Sequence, residues 1–226
     1  MKLRSMLASI VCTSLLAWTF SSCADAAPEL VSVTGTMVFD YEDSDSLPSA
    51  RLAVFVQTST EVQRVDSLLA VSRDDGYNWR IDSPQQFKSG DRQWACYTNL
   101  QSAENVRFPK GVYDFQYVDA AGEEAWTSFV VSYPDELFET KSGDIKSVLS
   151  SLSDSVALYD KSNMLIYFGK NKSNWNSNAN IIREYPAAVT IRHCLSNSGN
   201  RVVCLLPAEL LRTQETAGSV KDSEDE

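Results

Sequence analysis

The chain has 226 residues, 43% of them hydrophobic, enough for one domain of ordinary size and an appendage. Acidic residues outnumber basic ones by 30 to 20, a net charge of -10. So acidic a balance argues against a nucleic-acid partner, because phosphate binding needs a basic footprint.

Residues 1–22 read as a secretory signal peptide. Lys2 and Arg4 form a charged start, Leu7 to Phe20 an apolar run, and small residues follow from Ser21. The run is shorter than the roughly 20 residues of a spanning helix, and no other stretch qualifies, so export is expected. Two cleavage sites compete. Ala24-Asp25-Ala26 fits ordinary signal peptidase and would release a soluble periplasmic or secreted protein. Phe20-Ser21-Ser22-Cys23 resembles a bacterial lipobox, in which the cysteine is acylated and becomes the new N-terminus; Phe20 stands where leucine is usual, as in the looser boxes of spirochaetes. Lipidation of Cys23 implies a protein anchored to a bacterial membrane, with residues 23–29 as a tether.

The first strand is expected at Leu30 to Phe39, where Val31, Val33, Met37 and Phe39 share a face. Asp40 to Ser49, with four carboxylates and a proline, reads as a solvated loop; it lacks the central glycine and closing glutamate of a calcium-binding loop. Arg51 to Gln57 and Ser67 to Arg73 are short apolar strands, and the turn Asp74-Asp75-Gly76 leads into Tyr77 to Ile81. Pro84 to Asp91 reads as loop and Gln93 to Thr98 as strand. The clearest hairpin spans Phe108 to Val131. Tyr113, Phe115 and Tyr117 alternate with Val112, Asp114, Gln116 and Val118, and Asp119 to Gly122 forms the turn. About seven short strands at this spacing predict an immunoglobulin- or fibronectin-like antiparallel β-sandwich over residues 30–132.

The pattern changes at Tyr133-Pro134, opening a linker, residues 133–155. Ile145, Val148, Leu149 and Leu152 fall at helical spacing and predict an amphipathic helix over Ser142 to Ser153. Residues 156–211 predict a small α+β unit docked on the sandwich. It holds a hairpin around Asp160 to Asn163, a helical turn at Ile181 to Tyr185 and a hairpin from Val189 to Leu206. Residues 212–226 are polar and acidic, the composition of a disordered tail.

Cys194 and Cys204 lie symmetrically about Gly199, so a hairpin centred there would place them opposite each other and predicts a disulfide, with Cys96 left as a buried thiol. His193, the only histidine, alternates with Ile191 and Leu195 and reads as structural. One histidine and few free thiols make no standard zinc site, and there is no phosphate loop, nucleophile elbow or HExxH. No cofactor and no enzymatic activity are expected.

Aromatic residues are the remaining resource, with Trp126 and Trp175 the candidate ligand-binding residues. Pro109 to Trp126 resembles the terminal hairpin of starch- and glycogen-binding modules, where a Gly-x-Tyr strand leads through a turn towards a tryptophan; this implies a glycan ligand. The box at Cys23, the turn Asp74-Asp75-Gly76-Tyr77-Asn78-Trp79 and the hairpin YDKSNMLIYFG resemble uncharacterised lipoproteins of spirochaetes. That resemblance implies an envelope location and no activity. The expected function is a non-enzymatic envelope lipoprotein that binds or scaffolds another envelope component, with an envelope protein as a candidate partner and carbohydrate binding through exposed Trp and Tyr as the alternative.

Overall fold

A computed structural model describes residues 28–59, 64–103 and 106–212. The leader, Cys23 and all but the first residue of the acidic tail lie outside them. Twelve strands are described: β1 (Leu30–Asp40), β2 (Ser49–Thr58), β3 (Val65–Ser72), β4 (Asn78–Ile81), β5 (Gln85–Ser89), β6 (Arg92–Leu100), β7 (Gly111–Asp119), β8 (Glu124–Val131), β9 (Ser153–Tyr159), β10 (Leu165–Gly169), β11 (Thr190–Ser196) and β12 (Val202–Leu210). They form two sheets, ordered β10-β9-β11-β12-β1-β2-β6-β5 and β4-β3-β7-β8. The protein is mainly β, and its two sheets pack as a sandwich.

Labelling β1 to β8 in chain order as A, B, C, C′, D, E, F and G turns the two halves into A-B-E-D and C′-C-F-G, the immunoglobulin arrangement. The hairpin β7–β8 behaves as its alternation demands. Tyr113, Phe115 and Tyr117 are buried in the shared core, while Val112, Asp114, Gln116 and Val118 are half-buried on the other face. Near the start of β7 the Tyr113 hydroxyl donates to the Pro109 carbonyl at 2.8 Å, the tyrosine corner of such sandwiches. Gly35 allows the two sheets to meet closely at β1. A Cβ there would lie 2.4 Å from the Phe129 ring, so a side chain is excluded by packing.

The strands after residue 152 extend the larger sheet. β12 pairs in parallel with β1, Met37 opposite Val202 and Phe39 opposite Cys204. On the same face as the main core they carry a second cluster of Val156, Leu158, Trp175, Ile181, Ala188, Ile191 and Leu211, roofed by helix α2 (Asn178–Glu184) and the loop before it. The unit therefore has an apolar cluster of its own while its strands continue the sandwich's sheet.

Three local expectations are corrected. The helix over Ser142 to Ser153 shrinks to a 3-10 turn, Ser142–Asp144, and one turn of helix, α1 (Ile145–Val148), after which Leu149 is extended. Ile145 and Leu149 still reach the core, but the serines that follow are weak helix formers and one turn cannot sustain a helix. Residues 85–89, read as loop, form the edge strand β5. Every residue in it is exposed, so no burial pattern marks it. The Cys194–Cys204 disulfide does not form; both thiols, and Cys96, are free and buried. At the turn Ser196 pairs with Val203, so Cys194 faces Leu205 and Cys204 faces Leu195. One residue of slip turns a side chain to the opposite face. Cys204 enters the core, and Cys194 lies on the outer side of the sheet.

Candidate functional site

The outer face of the large sheet carries the candidate site. Its eight strands, spaced about 4.8 Å apart, would cover more than 30 Å if flat. Yet Phe87 on β5 and Phe168 on β10, at opposite edges, line one trough of about 700 Å³, so the sheet curls around it. Strand alternation builds the floor. Thr34, Thr36 and Val38 point outward from β1, while Gly35, Met37 and Phe39 face the core. Ala53 and Phe55 of β2, Ser155 of β9, Cys194 of β11 and Val203 of β12 continue the surface. The curvature buries Val38, Ala53 and Cys194 although they lie on the outward side.

Two features give this surface chemical character. Phe87 and Trp94 pair directly across β5 and β6, with ring centroids 6.2 Å apart and planes within 6°. The rings form a near-parallel platform at one rim, and Phe168, 61% exposed, stands at the other. Near the other end of β1, Asp40 sits between two arginines. Arg51 Nη1 donates to its Oδ2 and Arg192 Nη2 to its Oδ1, each at 2.6 Å. Both guanidinium groups are also tethered to backbone, Arg51 Nε to the Thr98 carbonyl and Arg192 Nε to that of Leu206. Burial pushes the Asp40 carboxyl up, but the two arginines outweigh it and hold it below the ordinary carboxylate value. Two cations on one anion leave one positive charge in excess, and Arg51 presents it to the trough.

The chain matches no family model. No curated protein is found similar to it in sequence. The trough and its charges are therefore read on their own chemistry.

The residues singled out from sequence scatter. Trp175 is buried in the second cluster, its indole N–H donates to Glu184 Oε2 at 2.8 Å, and its ring packs against Tyr167, Tyr185 and the Lys172 ammonium. Trp126 is 58% exposed on β8, in the smaller sheet and away from the trough, with its N–H directed to Glu124. His193 shares the inner face with Ile191 and lies 3.4 Å from Asp154 through Nδ1. Cys23 lies outside the described residues. Of the three thiols among the described residues, only Cys194 reaches the trough floor. Burial pushes that thiol up to about 11, which leaves it a thiol at neutral pH.

Sequence reasoning missed Asp40, Arg51, Arg192 and the Phe87–Trp94 pair. Asp40 keeps parity with Val38 and Thr36 and so belongs to β1, a signal masked by the acidic residues that follow. Phe87 is the lone large apolar residue in an exposed strand. Its partner across a hairpin was the available clue.

Proposed function

We propose that this protein is a non-enzymatic lipoprotein of the bacterial cell envelope, acylated at Cys23, which uses the concave face of its large sheet to hold a segment of another envelope protein. The observation that carries this reading is the trough itself: an aromatic platform at one rim, Phe168 at the other, and a floor of small apolar and hydroxyl side chains. Such a surface, mostly apolar with a few placed polar groups, suits a ligand lying across the strands. The leader, Cys23 and the short tether before β1 support an anchored domain. The likeness to uncharacterised spirochaete lipoproteins points the same way.

A second reading, glycan binding, is favoured by the Phe87–Trp94 pair, because flat ring faces beside hydroxyl groups suit sugar stacking. It moves the sugar platform from Trp126 and Trp175 to the trough rim.

One experiment tests anchoring and trough together. The chain is expressed in a bacterial host with a fatty-acid probe, and the washed envelope fraction is cross-linked. Wild type is expected to label and to form a discrete cross-linked species. Cys23→Ser is expected to lose label and leave the membrane. Phe87→Ala with Trp94→Ala is expected to keep label and lose the species. Label surviving Cys23→Ser would sink the anchor, and a species unchanged by the double variant would sink the trough as the binding face. Saturable binding of the soluble Cys23→Ser protein to glycans, lost in the same double variant, would favour the sugar reading.

A further inference from the structure

A second site lies apart from the trough, on the opposite face of the sheet. Lys172 Nζ is 5.2 Å from the ring centroids of Tyr167, Trp175 and Tyr185 alike. The rings stand as walls. Tyr167 and Trp175 are 5.0 Å apart at 68°, Tyr167 and Tyr185 5.3 Å apart at 52°, and Trp175 and Tyr185 5.8 Å apart at 90°. Glu184 adds a carboxylate, bonded to Lys172 and to the Trp175 indole N–H. The Tyr167 hydroxyl is fixed on the Lys170 carbonyl at 2.8 Å. Three elements, β10, the loop before α2 and the end of α2, thus converge on one ammonium group.

A lysine packed for its stem alone meets one ring edge or face. A nitrogen equidistant from three rings with a carboxylate beside it has the surroundings of a bound organic cation. We propose that Tyr167, Trp175, Tyr185 and Glu184 form a recognition site for a quaternary ammonium ligand of the choline type, and that Lys172 is its built-in occupant, displaced when the ligand binds. Lys172 sits in a loop of asparagines and serines, and its side chain is 35% exposed, so it can leave without disturbing the sheet. A primary ammonium is strongly hydrated and regains that hydration in water, whereas a trimethylammonium group loses less on entering an aromatic cage.

The test measures saturation transfer by NMR to the methyl protons of choline, using the whole chain in a detergent without quaternary ammonium groups. Wild type is expected to bind saturably, and Lys172→Ala about tenfold more tightly, because the competing ammonium is gone. Tyr185→Ala and Glu184→Gln are expected to abolish or weaken binding in both backgrounds. 3,3-Dimethyl-1-butanol, the uncharged isostere of choline, is expected not to bind. Choline binding by Lys172→Ala alone would overturn displacement and leave Lys172 a fixed plug. Equal binding of the isostere, or binding indifferent to Tyr185→Ala, would overturn the cage. Should Lys172→Ala fail to fold by circular dichroism, wild type against Tyr185→Phe and Glu184→Gln decides: Tyr185→Phe keeps the ring and is expected to bind close to wild type, Glu184→Gln loses the charge and is expected to bind more weakly, and the reverse order would overturn the cage. Absence of saturable transfer in both wild type and Lys172→Ala would overturn the proposal outright.

Discussion

Arg192 Nη2 donates to Asp40 Oδ1 at 2.6 Å across 152 positions of sequence, reaching over β12 to do so. With Arg51 gripping the other carboxylate oxygen from β2, the group ties four adjacent strands across the parallel junction of β1 and β12. All three side chains are about three-quarters or more buried, so solvent screens the cluster less than a surface pair. Removing the carboxylate strands two guanidinium groups. Asp40→Ala is expected to destabilise the fold by about 2 kcal/mol in urea denaturation. A midpoint within error of wild type would show the cluster to be energetically neutral.

The same cluster predicts acid lability. The folded Asp40 carboxyl lies below its ordinary value of 3.8, so the folded state binds its proton less readily than the unfolded chain. This contribution is complete above pH 3.8 and is lost as pH falls through the lower folded value. Stability measured from pH 6 to pH 2 is expected to fall more steeply for wild type than for Asp40→Asn in the acid limb. Parallel curves would remove Asp40 from the account.

Gly35→Ala tests the close meeting of the sheets. The new Cβ would lie 2.4 Å from Phe129, and the ring is buried between β1 and β7 and cannot swing free. A loss of about 1 to 3 kcal/mol is expected from overpacking. Phe129→Leu in the same chain should restore part of it. Rescue is the informative outcome, since a purely backbone effect would not respond.

Tyr113→Phe removes one hydroxyl from the corner at Pro109 while leaving the ring stacked on Phe129 and Trp79. The expected cost is about 1 kcal/mol, read as a lower denaturation midpoint with an unchanged slope. No change would mean that the Pro109 carbonyl finds an equally good partner.

Thiol counting tests the register of β11 and β12. In a chain lacking the leader and carrying Cys23→Ser, denaturant is expected to release three titratable thiols, Cys96, Cys194 and Cys204. In the native protein at pH 8 they should react slowly, because burial pushes Cys194 up to about 11 and Cys204 up to about 12. A single thiol would place Cys194 and Cys204 in a bridge and contradict the observed pairing.

The hairpin β7–β8 was legible because one face of β7 is wholly core, and the alternation of Tyr113, Phe115 and Tyr117 records that burial directly. The edge strand β5 was not, since its pairing with β6 uses backbone groups and leaves every side chain in solvent. The thiol pair failed for a related reason: symmetry about Gly199 reports spacing, whereas the pairing of Ser196 with Val203 at the turn decides which residue each cysteine faces. The trough was least legible of all. It draws one to three residues from each of eight strands, and only the curl of the sheet brings Phe87 and Phe168 to one surface.

The parallel pairing of Met37 with Val202 also fixes an order of events. A chain emerging N-terminus first, from a ribosome or from a translocation pore, holds one side of β1 without its strand partner until nearly all of its length is out. Early assembly is restricted to the hairpins and the A-B-E-D and C′-C-F-G halves, and the longest loop must close before the larger sheet is complete. Val202 to Leu205 then set the timing: a chain that stops before Val202 should leave β1 with an open edge, prone to pairing with another molecule. The domain is completed from its end, which makes a late stop codon more damaging than its position suggests.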